Sequence, residues 1–502
     1  MHNLFPVLLS LLFIGTNLRA QDNAGIQWFD GSVDKAFESA LKQEKPVFLY
    51  WGAAWCPPCN QLKATLFRDS GFVNKTRLFV AVYLDGDTER AQAIGEKFNV
   101  LGYPTLIIFN AKGREITRIP GGMDLARYTD ILDLALNDIQ PVKQLVDRIL
   151  EQDYQPRDKE IQLLAYYSWQ QDAGQATEGR DKLLLYRTLS ALTPEHMSEE
   201  NSHFNTEYLL ELVKTGDSLS IETALEGMKR LAGILDDPVN TRSNLEFVVY
   251  YGREVISKLT EDNPSARTHM TEKWAASLDR LADMKQLTGE EKLRLHRGTV
   301  ENFKLREQPV PASLKHQIRD DVATALTAAD NDYQWIALTY EGYSLLHASG
   351  QEKAAEELLT RALQRDSNSH YWMLILAGMA KDEERKADAV NLYRQAYAAS
   401  EGVATRLQWA SYYMDGLTVL QPQETRQIER LGNELINLLR QQTAAFHGRN
   451  IRAVQRINKS LADWAKTGAR KKLAEHFRSS VQTLCLSRNS KTQCAELETD
   501  KS

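Results

Sequence analysis

Trp55-Cys56-Pro57-Pro58-Cys59 lies between two segments that read as different secondary structure. The apolar run Pro46-Val47-Phe48-Leu49-Tyr50-Trp51 before it predicts a buried strand, and Asn60 to Phe67 after it predicts a helix. A CxxC at a strand-to-helix turn puts its first sulfur at a helix N-terminus. There, free N–H groups and the helix dipole favour a thiolate, the species that attacks disulfides. The same spacing serves zinc and copper sites, but a zinc site needs four ligands. Residues 21–141 hold no histidine and no third cysteine, so no metal site is expected.

Further along come Gly102-Tyr103-Pro104-Thr105, the apolar run Leu106-Ile107-Ile108-Phe109, the turn Asn110-Ala111-Lys112-Gly113, a strand around Glu115 to Arg118, and Gly121-Gly122. With these in order, residues 26–140 resemble the thioredoxin family. Asp69 to Val73, Leu84 to Asp87 and Phe98 to Gly102 are most similar to the C-terminal domain of DsbD-type reductases, whereas Cys-Pro-Pro-Cys is more like the TlpA group. The resemblance implies an α/β thioredoxin fold, with Pro104 cis beside the cysteines, presenting backbone to an extended substrate and blocking metal capture.

The chemistry follows residue by residue. Cys56 is expected to be the exposed nucleophile that forms a mixed disulfide, and Cys59, one turn in and more buried, to resolve it. Trp55, Pro57, Tyr103, Thr105 and Gly121 are the candidate substrate-binding residues; Trp55 serves equally as an aromatic packed over the sheet edge. Two departures from the resemblance stand out. Tyr50 occupies the position of the buried Asp that assists the resolving cysteine, and Ala81 that of its Lys partner. Losing both together avoids a lone buried charge, but proton transfer at Cys59 then needs another route. Lys63, one turn beyond Cys59, reads as a solvated lysine or as a neighbour of the Cys59 thiolate. Pro57 and Pro58 remove two N–H groups that would otherwise stabilise the Cys56 thiolate, which favours a less oxidising couple and a reductive direction.

Residues Leu4 to Ile14 are almost wholly apolar and end in Leu18-Arg19-Ala20, which reads as a signal peptide over residues 1–20, with a retained anchor as the alternative. The chain is therefore expected to be periplasmic or secreted. With 61 basic against 67 acidic residues, nothing suggests a nucleic-acid surface. The remaining cysteines, Cys485 and Cys494, bracket a polar loop and read as a structural disulfide, with a second redox relay or two free thiols as the other readings.

Beyond Pro141 the chain turns helical. Residues 142–502 hold seven prolines, and amphipathic runs such as Val142 to Leu150 and Ile221 to Leu231 recur. Ala355, Leu359 and Ala362 reappear 34 positions later as Ala389, Tyr393 and Ala396, with Tyr343 and Leu346 against Ala377 and Ala380. A third first-helix, Leu407 to Met414, falls at the same offset. This resembles the tetratricopeptide repeat, although the closing proline is missing. The expected divisions are a thioredoxin-like domain at 21–140, an all-helical region at 141–308, the repeats at 309–424 and terminal helices at 425–502. The chain reads as an exported thiol–disulfide oxidoreductase without cofactor, taking protein disulfides, fed by an upstream thiol donor of the DsbD type, and binding a protein partner on aromatics of the repeats, the candidates being Tyr340, Tyr371, Trp372, Tyr412 and Tyr413, some of which must be core. The alternative is a non-catalytic helical adaptor that uses the thioredoxin domain for docking.

Overall fold

The computed structural model describes residues 25–122, 125–137, 139–151, 154–216, 218–284, 287–367, 369–442, 445–465, 468–488, 494–495 and 497. The expected signal peptide lies outside them. The first part runs α1 (Val33–Gln43), β1 (Val47–Gly52), α2 (Pro57–Ala64), α3 (Ser70–Thr76), β2 (Val80–Asp85), α4 (Glu89–Lys97), β3 (Thr105–Phe109), β4 (Glu115–Ile119) and α5 (Leu125–Leu136). Three of these helices begin where a side chain accepts an otherwise orphaned amide: Ser32 from Lys35, Asp69 from Phe72 and Thr88 from Ala91.

The strands form one sheet in the order β2-β1-β3-β4, with β1 parallel to β2 and antiparallel to β3, and β3 antiparallel to β4. Every residue of β1 is buried, which explains its unbroken apolar run: both sheet faces are covered. One face packs on α1 and α4 through Val47, Leu49, Trp51 and Ile107. The other carries Phe48, Tyr50, Leu106 and Ile108 into a core that continues through α5 into Val142, Leu145, Val146 and Ile149 and onward to Leu281 and Leu295. The expected boundary at residue 140 is thus crossed by continuous apolar packing. The edge strand β4 is covered as well, because the Ser168 amide donates to the Arg118 carbonyl at 2.9 Å.

The rest of the chain is helical. The pairs Asp332–Ala348 with Glu352–Arg365, His370–Asp382 with Lys386–Ala399, Val403–Leu420 with Thr425–Gln441, and Gly448–Trp464 with Gly468–Leu486 form successive hairpins. The small residues at the 34-residue offset, Ala355, Ala362, Ala389 and Ala396, are all fully buried, as alanine must be where helices approach closely. Two of the expected boundaries fall inside packed structure. Leu293 and Val300 share a core with Ile318 and Val322 across Pro309-Val310-Pro311, and residue 424 lies in the turn within the third hairpin. Cys485 and Cys494 are joined by a disulfide, their Cα atoms 5.8 Å apart, within the core of the last hairpins.

Candidate active site

The turn after β1 delivers Cys56 to the N-cap of α2, with Pro57 and Pro58 as the first helical residues, where proline's missing N–H costs nothing. The Cys59 amide donates to Cys56 Sγ at 3.2 Å, the one local amide that the prolines leave for it. Cys56 and Cys59 are disulfide-bonded in the structure. The Tyr103-Pro104 peptide is cis, and a Cβ on Gly121 would lie 2.9 Å from the Pro104 ring, so the Gly121 loop closes directly on that proline.

The aromatic side of β1 accounts for the missing ion pair. Tyr50 is in register with Tyr83, not Ala81, and their rings stack at 5.4 Å; Trp28 stacks on Tyr50 at 6.0 Å and Phe67 meets it edge-on at 4.7 Å. Trp28 bridges to Ala81, so the small residue there makes room for the N-terminal strand segment. The space that would hold two charges is filled by apolar rings, and burial pushes the Tyr50 hydroxyl far above its usual range. Lys63 is not the freely solvated side chain expected from its position: its ammonium lies 5.8 Å from the Tyr83 ring and 5.5 Å from that of Tyr333, and burial lowers its pKa.

The expected exposed nucleophile is enclosed. Cys56 is only 3% exposed and Cys59 0%. The helical region supplies the cover, with Asp332–Ala348 packing on α2. Trp55 stacks on Tyr371 at 5.6 Å and meets Trp409 at 4.9 Å and His370 at 5.9 Å, so three residues from distant helices occupy its surface. The Trp55 indole donates to Asp87 at 2.7 Å, and the Thr405 hydroxyl donates to the same carboxylate. Burial raises the Asp87 pKa against those hydrogen bonds and the nearby Arg449 charge. Arg449 lies 5.4 Å from the Trp55 ring and 4.6 Å from that of Tyr103.

The other candidate residues are brought together, but not around an open groove. Pro57 is buried. Thr105 is fully buried, pairs with Trp51 and donates its hydroxyl to the Gly102 carbonyl at 2.8 Å, so it is withdrawn from substrate contact. The Tyr103 hydroxyl accepts from Gln92 at 2.9 Å, while the Pro104 carbonyl accepts from Gln171 at 3.1 Å. Of the aromatic candidates on the repeats, Trp372 and Tyr413 are the core residues and Tyr371 faces Trp55. Sequence reading quoted Asp87 within a resembling segment without giving it a role, and missed Gln92, Gln171, Thr405, His370, Trp409 and Arg449, most of which lie hundreds of positions from the motif and carry no local signal.

Against known proteins, residues 33–136 match the model of a thioredoxin-like domain. The chain is 37% identical over 94 residues to "Thiol:disulfide interchange protein DsbD" of Yersinia pestis (strain Pestoides F), and 32% identical over 96 residues to that of Pasteurella multocida (strain Pm70). Each alignment covers 18% of this chain and 16% of the relative, so the chain spans only a small part of these curated relatives. A solved structure described as "DsbH Oxidoreductase" aligns at 23% identity with a TM-score of 0.21, covering 23% of this chain and 88% of that chain. The chain thus carries a thioredoxin-like domain followed by a long all-helical region. Among the described residues, no helix is long and apolar enough to cross a membrane.

Proposed function

We propose that this thioredoxin-like domain makes the chain a thiol–disulfide oxidoreductase in which Cys56 attacks and Cys59 resolves. The observation that carries the reading is the cysteine pair at the start of α2, with Cys56 Sγ accepting the Cys59 amide and cis-Pro104 following in the same site. In the reducing direction, the Cys56 thiolate attacks one sulfur of a substrate disulfide and the other leaves as a thiolate. Cys59 then attacks Cys56 Sγ, releasing the second substrate thiol and leaving the Cys56–Cys59 disulfide for an upstream dithiol donor to reduce.

Reduction is favoured because prolines at both middle positions leave the thiolate few amide donors. The equilibrium potential is expected to lie nearer thioredoxin's, about −270 mV, than the roughly −120 mV of the strong oxidant DsbA. Equilibration with glutathione measures it, and a value close to the oxidant's would reverse the direction. The apolar run at Leu4 to Ile14 and the likeness to DsbD proteins support an exported location.

The reading itself is tested by trapping. Cys59→Ser is expected to accumulate mixed disulfides through Cys56 in cells, visible as high-mass bands on non-reducing gels, whereas Cys56→Ser is expected to accumulate none. Equal adducts from both variants, or none from either, would remove the catalytic role. The enclosed Cys56 favours the second reading, a docking module within a helical adaptor, and absence of adducts would select it.

A further inference from the structure

We propose that the helices from His370 to Arg452 are an autoinhibitory cap, seated where a substrate polypeptide would dock on the Cys56–Cys59 pair. The proposal rests on the redox reading above. A cysteine only 3% exposed is not reached by a protein disulfide, so turnover requires that its cover move.

The helical region holds the thioredoxin-like domain by different means along its length, and Asp332–Ala348, which packs on α2, lies outside the proposed cap. Residues 142–281 share its apolar core continuously and cannot separate without exposing it. The later helices have their own core, from Met373 to Leu497, and among the described residues of the first domain only Trp55 packs against that core. Polar and charged contacts add to it. Thr405 donates to Asp87, Asn450 Nδ2 donates to Gln92 at 3.0 Å, Arg452 donates to the Leu101 carbonyl at 3.1 Å, and Arg449 lies over Trp55 and Tyr103. Water can replace each of these bonds when the surfaces part, so such an interface opens at modest cost.

Two features tune the closed state. Gly402 and Gly448, both at positive φ, let the cap's backbone approach: a Cβ on Gly402 would collide with the Asp87 carbonyl, and one on Gly448 would lie 3.3 Å from the Val100 carbonyl. Opposing closure, His370 is buried between Trp55 and Trp409 with Nδ1 unpartnered, and burial lowers its pKa to about 4. That buried polar atom regains water on opening. Tyr371 and Trp409 cover Trp55 with aromatic surface, and an extended segment of a redox partner bearing an apolar residue would compete for the same face.

The test measures access without turnover. The fully reduced full-length protein is treated with iodoacetamide, and alkylation of the Cys56 peptide is followed by mass spectrometry in wild type, Gly402→Ala, Arg449→Ala and the urea-denatured chain. Wild type is expected to react at least about tenfold more slowly than the denatured chain, and each variant about tenfold faster than wild type, the change in opening equilibrium for one lost charged contact. Removing the Arg449 guanidinium lowers any thiolate fraction it supports, so a faster rate in that variant reports access. Circular dichroism melts verify folding; if Gly402→Ala unfolds, Arg449→Ala decides. A wild-type rate equal to the denatured rate, or a slow rate unchanged in the folded variants, overturns the cap. Altered alkylation without trapped adducts retains the cap and rejects the redox reading; trapped adducts with unchanged alkylation do the reverse.

Discussion

A fragment ending at Gln140 is expected to lose cooperative folding. By length, residues 21–140 suffice for a thioredoxin-like core, but in the structure that core does not end there. Val142, Leu145, Val146 and Ile149 are buried in the same cluster as Phe48, Ile108 and Ile131. Each such side chain contributes roughly 1.5–3 kcal/mol through burial, and a whole domain is stable by only about 5–15 kcal/mol. Removing four of them, together with the Ser168 amide that covers β4, takes away an amount comparable to the total. The measurement is urea unfolding of the fragment followed by near-ultraviolet circular dichroism and dye binding. A broad transition with exposed apolar surface is expected. A sharp two-state transition from a well-packed fragment would show that the shared core is dispensable. The functional consequence is that the redox domain and the first helices act as one folding unit, so the role of the later helices is tested by substitution.

Arg118→Ala is expected to destabilise the protein by about 3–5 kcal/mol, the range for breaking a buried pair from one side. Arg118 is fully buried in β4, an unusual place for a charge, and the reason is its partners. Its Nε donates to Glu115 at 2.6 Å, and its guanidinium donates to the carbonyls of Asn99 at 3.0 Å, Gln171 at 3.2 Å and Phe98. Alanine leaves a largely buried carboxylate and three carbonyls without that donor. Lysine is expected to rescue little, because one ammonium cannot reproduce the planar fork that reaches four acceptors. Urea midpoints at constant slope measure both variants, and a loss below about 1 kcal/mol in Arg118→Ala would contradict the assignment. The Phe98-Asn99 turn leads into Tyr103-Pro104, so the same substitution loosens the loop beside the cysteines.

What the sequence determined by itself was local. An unbroken apolar run before Cys56 specified β1, since only a strand covered on both faces reads that way, and the adjoining prolines specified the start of α2 because nothing is lost when they occupy a helix's first turn. The small residues at the 34-position offset marked close helix contacts, and Ala355, Ala362, Ala389 and Ala396 are buried accordingly. The absent Asp and Lys at positions 50 and 81 were visible; the cluster of Trp28, Phe67 and Tyr83 that replaces them was not, because it draws on three separate segments. Exposure was decided only by tertiary structure. An aromatic residue on a helix face has the same sequence signature whether it meets solvent, core or another domain, and so Tyr371 was one undifferentiated candidate among five when it in fact lies on Trp55. The cover on Trp55, beside Cys56, comes from His370, Tyr371 and Trp409, more than three hundred positions away, and the close approach to Asp87 and Val100 needs glycines at 402 and 448 for a reason that appears only once the two backbones meet. Burial is a property of every surface that reaches a point in space, and no window along the chain contains that information.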